Sequence, residues 1–237
     1  MSFLVLAALG GICLVVSLLF EETLPRADRI QGGVLSSLSR LAVVGRNMGL
    51  LAPCLIFALS NLPFMGYIAV SSYIYVDSFG LSEQVYSYFF AANVLVSLAG
   101  PLIYMRFLSH TDKGKLSYFF FGISMISGLL LLVLWRFSPW AFLLCFMPYS
   151  FSGTIIRPFC TNFLLDQQKG DTGTASSLIN FIFTICGSIG MLIVSGSGAG
   201  LVLSLGGYVF LIGLLQLLSW WGLLHSKIRC IGITCET

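Results

Sequence analysis

The sequence predicts an all-α membrane protein. It is almost without charge, its apolar stretches are long enough to cross a bilayer as helices, and its basic residues fall almost wholly on one side of those stretches. Of 237 residues, 57% are hydrophobic and only 9% charged, and the mean hydropathy is +0.97. A soluble domain carries about 25% charged residues, so this chain lacks the charge to dress a water-facing surface. The seven cysteines are scattered, mostly inside apolar runs, where a free thiol packs as a small hydrophobe. Cys230 and Cys235 have no histidine set beside them and make no metal-ligand pattern.

Charged residues punctuate seven apolar runs: Phe3–Phe20, Leu50–Tyr75, Val85–Met105, Leu116–Trp135, Trp140–Leu165, Thr174–Ser195 and Leu201–Leu224. A crossing takes about 20 helical residues. Helices are expected because lipid offers no partner for backbone N–H and C=O groups. Barrel strands are shorter and alternate in polarity, unlike these runs.

The basic residues orient the spans. Arg26, Arg29, Arg40 and Arg46 follow the first, Arg106, Lys113 and Lys115 the third, Lys169 the fifth, and Lys227 and Arg229 the last. All these lie on one side, against Arg136 alone on the other. The expected topology has the amino terminus outside and the carboxyl terminus in the cytoplasm. The first span reads as a retained helix and not a signal peptide, since no basic leader precedes it and Glu21-Glu22 follows. In the long connection from Glu21 to Gly49, Val34, Leu35, Leu38, Leu41 and Ala42 recur at helical spacing. That spacing fits a short helix on the inner membrane surface, and a flexible linker is the competing reading.

Polar residues divide the spans into two classes. In the second, Ser60, Phe64, Tyr67 and Ser71 share a face, with Asn61 and Ser72 beside it. The third carries Tyr86, Phe90, Asn93, Ser97 and Tyr104, and the fifth carries Ser150, Thr154, Arg157 and Thr161. The sixth repeats Ser176, Asn180, Thr184 and Ser188. The fourth and seventh offer less: Ser124 and Ser127, and Ser204 and Gln216. Small, weakly polar residues also let membrane helices pack closely. For the sixth span, with Gly187 and Gly190 nearby, packing competes with a cavity. The expectation is a water-filled cleft lined by the second, third, fifth and sixth spans, with the fourth and seventh as support.

Arg157 is the strongest single signal. A charged arginine in hydrocarbon costs at least about 2.5–3.5 kcal/mol, and packing does not call for it. It precedes Asp166 by nine residues, about 13 Å along a helix. The side chain can snorkel part of that distance; a solvated cavity or a buried partner is the alternative. Pro158 follows, removing a backbone donor and freeing a carbonyl near the arginine.

None of the nine acidic residues lies within a span. Proton-driven transport needs a titratable group that each side reaches in turn, and arginine stays charged. His110 and His225 read as solvated surface residues. There is no nucleotide loop, no nucleophile with a base and no metal-ligand cluster, so an enzyme, a cofactor, a metal or a nucleic-acid partner is not expected.

Three stretches carry a resemblance: "FEETLPRADR" after the first span, "NLPFMGYIAVSSYIYVDSFGLSEQVYSYFFAAN" at 61–93, and "IIRPFCTNFLLDQQKGDTGTASSLINF" at 155–181. They resemble the carboxyl half of the Bcr/CflA-type drug-resistance transporters of the major facilitator superfamily. The first resembles the "ETLP" ending of the sixth helix, the second the seventh and eighth helices, and the third the tenth and eleventh. In "RFLSHTDKGK", Asp112, Lys113, Gly114 and Lys115 fit the superfamily's charged loop between paired helices.

The resemblance implies that residues 1–20 are the sixth helix of a twelve-helix carrier and 21–49 the cytoplasmic connection between halves. Residues 50–228 are then the six-helix carboxyl-terminal bundle and 229–237 a cytoplasmic tail. In the family, helices seven, eight, ten and eleven line the central cavity, which is the division the polar faces gave. The resemblance further implies that the first five helices, with the family's usual coupling carboxylate, are missing from these residues, as expected of a truncated or split transporter or a gene fragment starting at Met1.

The expected function is transmembrane transport in the plasma membrane, the cell's inner membrane: part of a multidrug efflux carrier that exports small amphipathic drugs against protons. Asn61, Tyr67, Ser71, Asn93, Arg157 and Asn180 are the expected substrate contacts. Tyr67 would offer an aromatic face, and Arg157 a fixed charge for an anionic group or for an acid in the missing half. A self-contained seven-helix receptor or assembly subunit, and a half-transporter with a separate partner chain, are the rival readings.

Overall fold

The computed structural model describes residues 2–19, 34–109, 111–168, 170–226 and 230–231. They form nine α-helices: α1 Ser2–Leu18, α2 Val34–Val44, α3 Met48–Ala58, α4 Asn61–Tyr73, α5 Glu83–Ile103, α6 Lys113–Leu134, α7 Pro139–Asp166, α8 Thr172–Ser195 and α9 Leu201–Leu224. No strand occurs among the described residues, as the composition predicts. Two compact units are distinguished, Met1–Ser37 and Leu38–Thr237. In the first, α1 has 17 apolar-rich residues, about 26 Å of helix. The acidic pair at 21–22 and the basic residues at 26 and 29 lie outside the described residues, as do those at 169, 227 and 229.

In the second unit six helical segments are long and apolar enough to cross a membrane: Met48–Ser78, Glu83–Leu108, Lys113–Leu134, Pro139–Asp166, Thr172–Ser195 and Leu201–Leu224. These are the second to seventh expected spans. Five of the six starts follow capping chemistry. Asn47, Ser82, Asp112, Ser138 and Asp171 each accept a backbone N–H of the first turn with their side-chain oxygen. Pro139 stands in the first turn of α7, where its missing N–H costs nothing. The connection before the bundle contains a helix, α2, and Arg40 in it lies 3.8 Å from Asp171.

The second expected span departs from one continuous helix. It divides into α3 and α4 at Leu59–Ser60, and a π-helical turn, Ile74–Ser78, follows α4. Pro63 lies at the break and removes one helical donor there. Having no N–H, it cannot bond the Leu59 carbonyl, which takes Leu62 N–H instead, while Ser60 N–H moves to Phe57 O. The Ile56 carbonyl thereby loses its helical donor. Gln216 of α9 supplies one: its Nε2 donates to Ile56 O at 2.8 Å and to Ser60 Oγ at 2.7 Å. The Tyr149 hydroxyl of α7 donates to Ser60 O. Three helices thus meet at one broken turn, and every group they bring is buried.

Glycines set the helix pairs. At Gly190 a Cβ would stand on the Leu62 backbone, and at Gly66 it would come within 2.5 Å of Val194, so α4 and α8 touch backbone to backbone. Gly213 does the same for α9 on α6, 2.6 Å from Met125 N, and Gly128 meets Phe210. On α5, Gly100 meets Thr154 of α7, and Ser97 and Ser150 share a hydrogen bond of 2.9 Å. Small residues allow this approach where water supplies no drive to associate. Two aromatic-rich cores result, one on either side of the broken turn. Phe57, Phe121, Phe159, Phe163 and Trp220 belong to one, and Tyr67, Tyr75, Phe142, Phe146 and Tyr149 to the other.

The end of the bundle where α7 finishes is fastened by polar contacts. Lys113 reaches Asp166 at 3.0 Å. Asn47 Nδ2 donates to Gln167 O at 3.0 Å and Gln168 Oε1 at 3.1 Å. Gln167 exchanges two hydrogen bonds with the Ile231 backbone.

Candidate functional site

Three hollows adjoin one another on α4, α5, α7 and α8. The first, about 270 Å³, lies between α4, α5 and α7, walled by Phe64, Tyr67, Phe90 and Asn93 with Ser150 and Thr154. The second, about 240 Å³, lies between α4, α7 and α8, and Asn61, Phe64, Thr154, Arg157 and Phe183 line it. The third, about 520 Å³, runs over α5 and α7 along Pro101, Thr154, Arg157 and Thr161. Thr154 borders all three and Arg157 two, so they form one uneven cleft. No residue of α6 or α9 lines any of them. These two helices pack on each other, α6 also on α7, and α9 also on α3 and α4. The division of spans drawn from polar faces is thus the division between cleft wall and support.

Arg157 stands 18 residues into the 28-residue α7, so its Cα is about 27 Å from the start and about 13 Å from the end. Its side chain does not run along α7 towards the nearer end. It crosses to α8, where Nη2 donates to Asn180 Oδ1 at 3.2 Å and the guanidinium carbon lies 4.3 Å from the centroid of the Phe183 ring. The partner is therefore a neutral amide and an aromatic face. Among the described residues no acidic side chain pairs with it; the two ion pairs are Arg40–Asp171 and Lys113–Asp166. A guanidinium carries five N–H donors, one of which Asn180 takes.

Asn180 is held in turn, its Nδ2 donating to Ser176 O at 3.0 Å. Asn61 donates to the Phe183 carbonyl at 2.7 Å. That bond needs a bare backbone opposite: a Cβ on Gly187 would lie 2.7 Å from Asn61 Nδ2. In the sixth expected span the packing glycines and the polar stripe fall on separate faces, and of its residues Phe183 lines the second hollow. Gly187 and Gly190 are buried against α4, while Asn180, Thr184 and Ser188 are exposed. The hydroxyls of Thr184 and Ser188 bond back to the carbonyls four residues before them at 2.8 and 3.0 Å.

At the other end of the cleft Tyr67 is 1% and Asn93 3% exposed. The Tyr67 ring stacks on Phe146 with centroids 4.0 Å apart, and Phe90 lies parallel at 6.4 Å. The Tyr67 hydroxyl neighbours both the Tyr75 hydroxyl and the Asn93 side chain. Even so, the two hydroxyls and Asn93 Oδ1 close no hydrogen bond of good geometry. Such orphaned buried groups are uncommon, and each calls for a reason.

Five of the six expected contacts, Asn61, Tyr67, Asn93, Arg157 and Asn180, line the hollows or touch a residue that does. Ser71 is placed differently: it is fully buried and its hydroxyl pairs with Tyr86 OH at 2.9 Å, joining α4 to α5. Two residues were not singled out from the sequence. Phe183 sits three residues after Asn180, hence on the same helical face, a spacing that could have paired them. Gln216 repairs a turn 156 residues away, and no local signal marks it.

Over 217 residues, 91% of this chain, the sequence is 24% identical to an uncharacterized MFS-type transporter, YdgK, of Bacillus subtilis (strain 168). The matched part is 54% of that relative, so the chain spans about half the length of the curated relative it matches. No protein-family model and no solved structure matches the chain. The chain is thus a multi-pass helical membrane protein, similar over nine-tenths of its length to a transporter of the major facilitator type.

Proposed function

We propose that this chain is the carboxyl-terminal part of a multidrug efflux carrier of the Bcr/CflA type, which exports small amphipathic drugs across the plasma membrane in exchange for protons. The observation that carries the reading is the cleft itself: aromatic rings at one end, a fixed cation at the other, and walls from α4, α5, α7 and α8 alone. Binding sites of carriers lie between two helical bundles that rock against each other, and this cleft is one such wall. Similarity covering 54% of an MFS-type transporter supports an opposite wall in a second bundle, which the proposal takes to be the amino-terminal half. The placement of basic residues supports an amino terminus outside and a carboxyl terminus in the cytoplasm. The carboxylates within the membrane-crossing segments, Asp77, Glu83 and Asp166, all stand at segment ends, so proton exchange falls to the other half, and Arg157 supplies a standing charge.

The test is export from cells. A complete carrier containing these residues is expected to lower accumulation of an amphipathic dye, and residues 1–237 alone to leave accumulation unchanged. Arg157→Ala in the complete carrier is expected to reduce export at least tenfold at equal expression. Unchanged export and unchanged proton coupling in that variant would remove Arg157 from the function.

A further inference from the structure

The cleft has a charged end and an aromatic end, and the distance between them is fixed by two helices. On α7, Ser150 and Arg157 are seven residues apart, and on α4, Asn61 and Tyr67 are six apart. These separations are about 10 and 9 Å. The two hollows share Phe64 and Thr154 as walls, so a molecule reaching both ends would pass these two side chains.

Among the described residues the charged end has no counterion. Asn180 gives Arg157 one hydrogen bond and Phe183 one ring face, but neither cancels the charge. No described acidic side chain lines the cleft; Asp77 and Glu83 border a separate hollow at the π-helical turn after α4. Arg157 is exposed, and a cationic guest would meet in it a charge that no described carboxylate opposes and that repels its own. An anionic guest completes the pairing, and carboxylate matches the planar donor fork of guanidinium.

The aromatic end asks for a flat ring and one polar atom. Phe64, Tyr67 and Phe90 form the walls. Asn93, almost wholly buried, has an amide oxygen without a hydrogen-bond partner, and the Tyr67 hydroxyl beside it is also unpartnered. A hydroxyl on the guest both donates and accepts, so it can serve either end of the Asn93 amide.

We propose that the cleft selects monoanionic aromatic acids about 10 Å long, with the carboxylate on Arg157, the rings between Phe64, Tyr67 and Phe90, and a terminal hydroxyl at Asn93. This rests on the reading of the cleft as a substrate passage and narrows it from amphipathic drugs at large to one charge class.

The test is direct binding to the purified full chain in mild detergent, which separates binding from transport. The probes are 4′-hydroxybiphenyl-4-carboxylate, its neutral carboxamide, and biphenyl-4-carboxylate without the hydroxyl. The acid is expected to bind at least tenfold more tightly than the amide. Arg157→Gln abolishes that preference and Arg157→Lys keeps part of it. Asn93→Leu abolishes the advantage of the hydroxylated acid while leaving the preference for acid over amide. A thermal melt of each variant shows that it is folded. Equal binding of acid and amide, no binding of any probe, or a preference that survives Arg157→Gln each overturns the proposal. The last result would assign Arg157 to an acidic side chain of a second bundle. Binding with the expected preference, but no movement across proteoliposomes of the complete carrier, would overturn the transport reading and leave this one standing.

Discussion

Gly190→Ala isolates the contact on which the cleft is built. A methyl group there falls on the Leu62 carbonyl, with Leu62 C and Cα only 2.6 and 2.7 Å away. Carbon atoms prefer about 3.5–4.0 Å. The obstruction is backbone on both sides, so no rotamer change relieves it, and α4 and α8 must part by about 1 Å. The Asn61–Phe183 bond, 2.7 Å long, would then exceed the distance at which it counts as a hydrogen bond. Overpacking costs about 1–3 kcal/mol and the lost bond about 1 kcal/mol, whereas alanine returns about 1 kcal/mol of helix propensity. The net loss is about 2 kcal/mol. For a unit of this size that lowers the melting temperature by about 4–8 °C. Cys54 and Cys160 are fully buried, so the rate at which a maleimide dye labels them on heating reports the transition. Gly122→Ala and Gly222→Ala are the controls, since a Cβ at either meets nothing within 4 Å; each is expected to melt at or slightly above the parent. Because α8 carries Asn180 and Phe183, Gly190→Ala is also expected to weaken ligand binding. A Gly190→Ala protein as stable as the controls would refute the close approach of α4 and α8.

Other substitutions probe single features. Gln216→Leu removes the donors to Ile56 O and Ser60 Oγ and is expected to cost about 1–2 kcal/mol in the same melt. A loss no larger than that of Leu215→Ala on the exposed face would show that the broken turn needs no repair. Tyr67→Phe deletes a buried hydroxyl that has no good partner, so stability should hold or rise by up to about 1 kcal/mol, while affinity for an aromatic ligand falls. Lys113→Ala breaks a half-exposed ion pair and is expected to shift stability by less than about 1 kcal/mol, with the shift vanishing in high salt.

The sequence carried the spans well because a bilayer enforces one rule along the whole chain: apolar side chains and internally bonded backbone. It could not carry the break at Leu59–Ser60. Pro63 by itself is compatible with a kink or a straight helix; the outcome depends on Gln216 and Tyr149, which arrive from other helices to satisfy the opened carbonyls. Nor could it pair the helices, because which glycine meets which backbone is decided across gaps of more than a hundred residues, as with Gly190 and Leu62.

The same physics explains why Arg157 was a stronger guide to the cleft than the hydroxyl stripe of α8. Thr184 and Ser188 satisfy themselves on carbonyls of their own helix, so they are equally at ease against lipid, glycine or water. Their spacing marks a face without saying what the face meets. An arginine has no such refuge: no carbonyl of its own helix neutralises a full charge, and desolvation without a partner is costly. Its position therefore requires something polar across the way, which the structure supplies as Asn180 and the Phe183 ring. Both are neutral, so the requirement is only half met within the described residues. Ser71 is the converse case. Its small hydroxyl found a complete partner in Tyr86, and a group so satisfied has nothing left to offer a ligand.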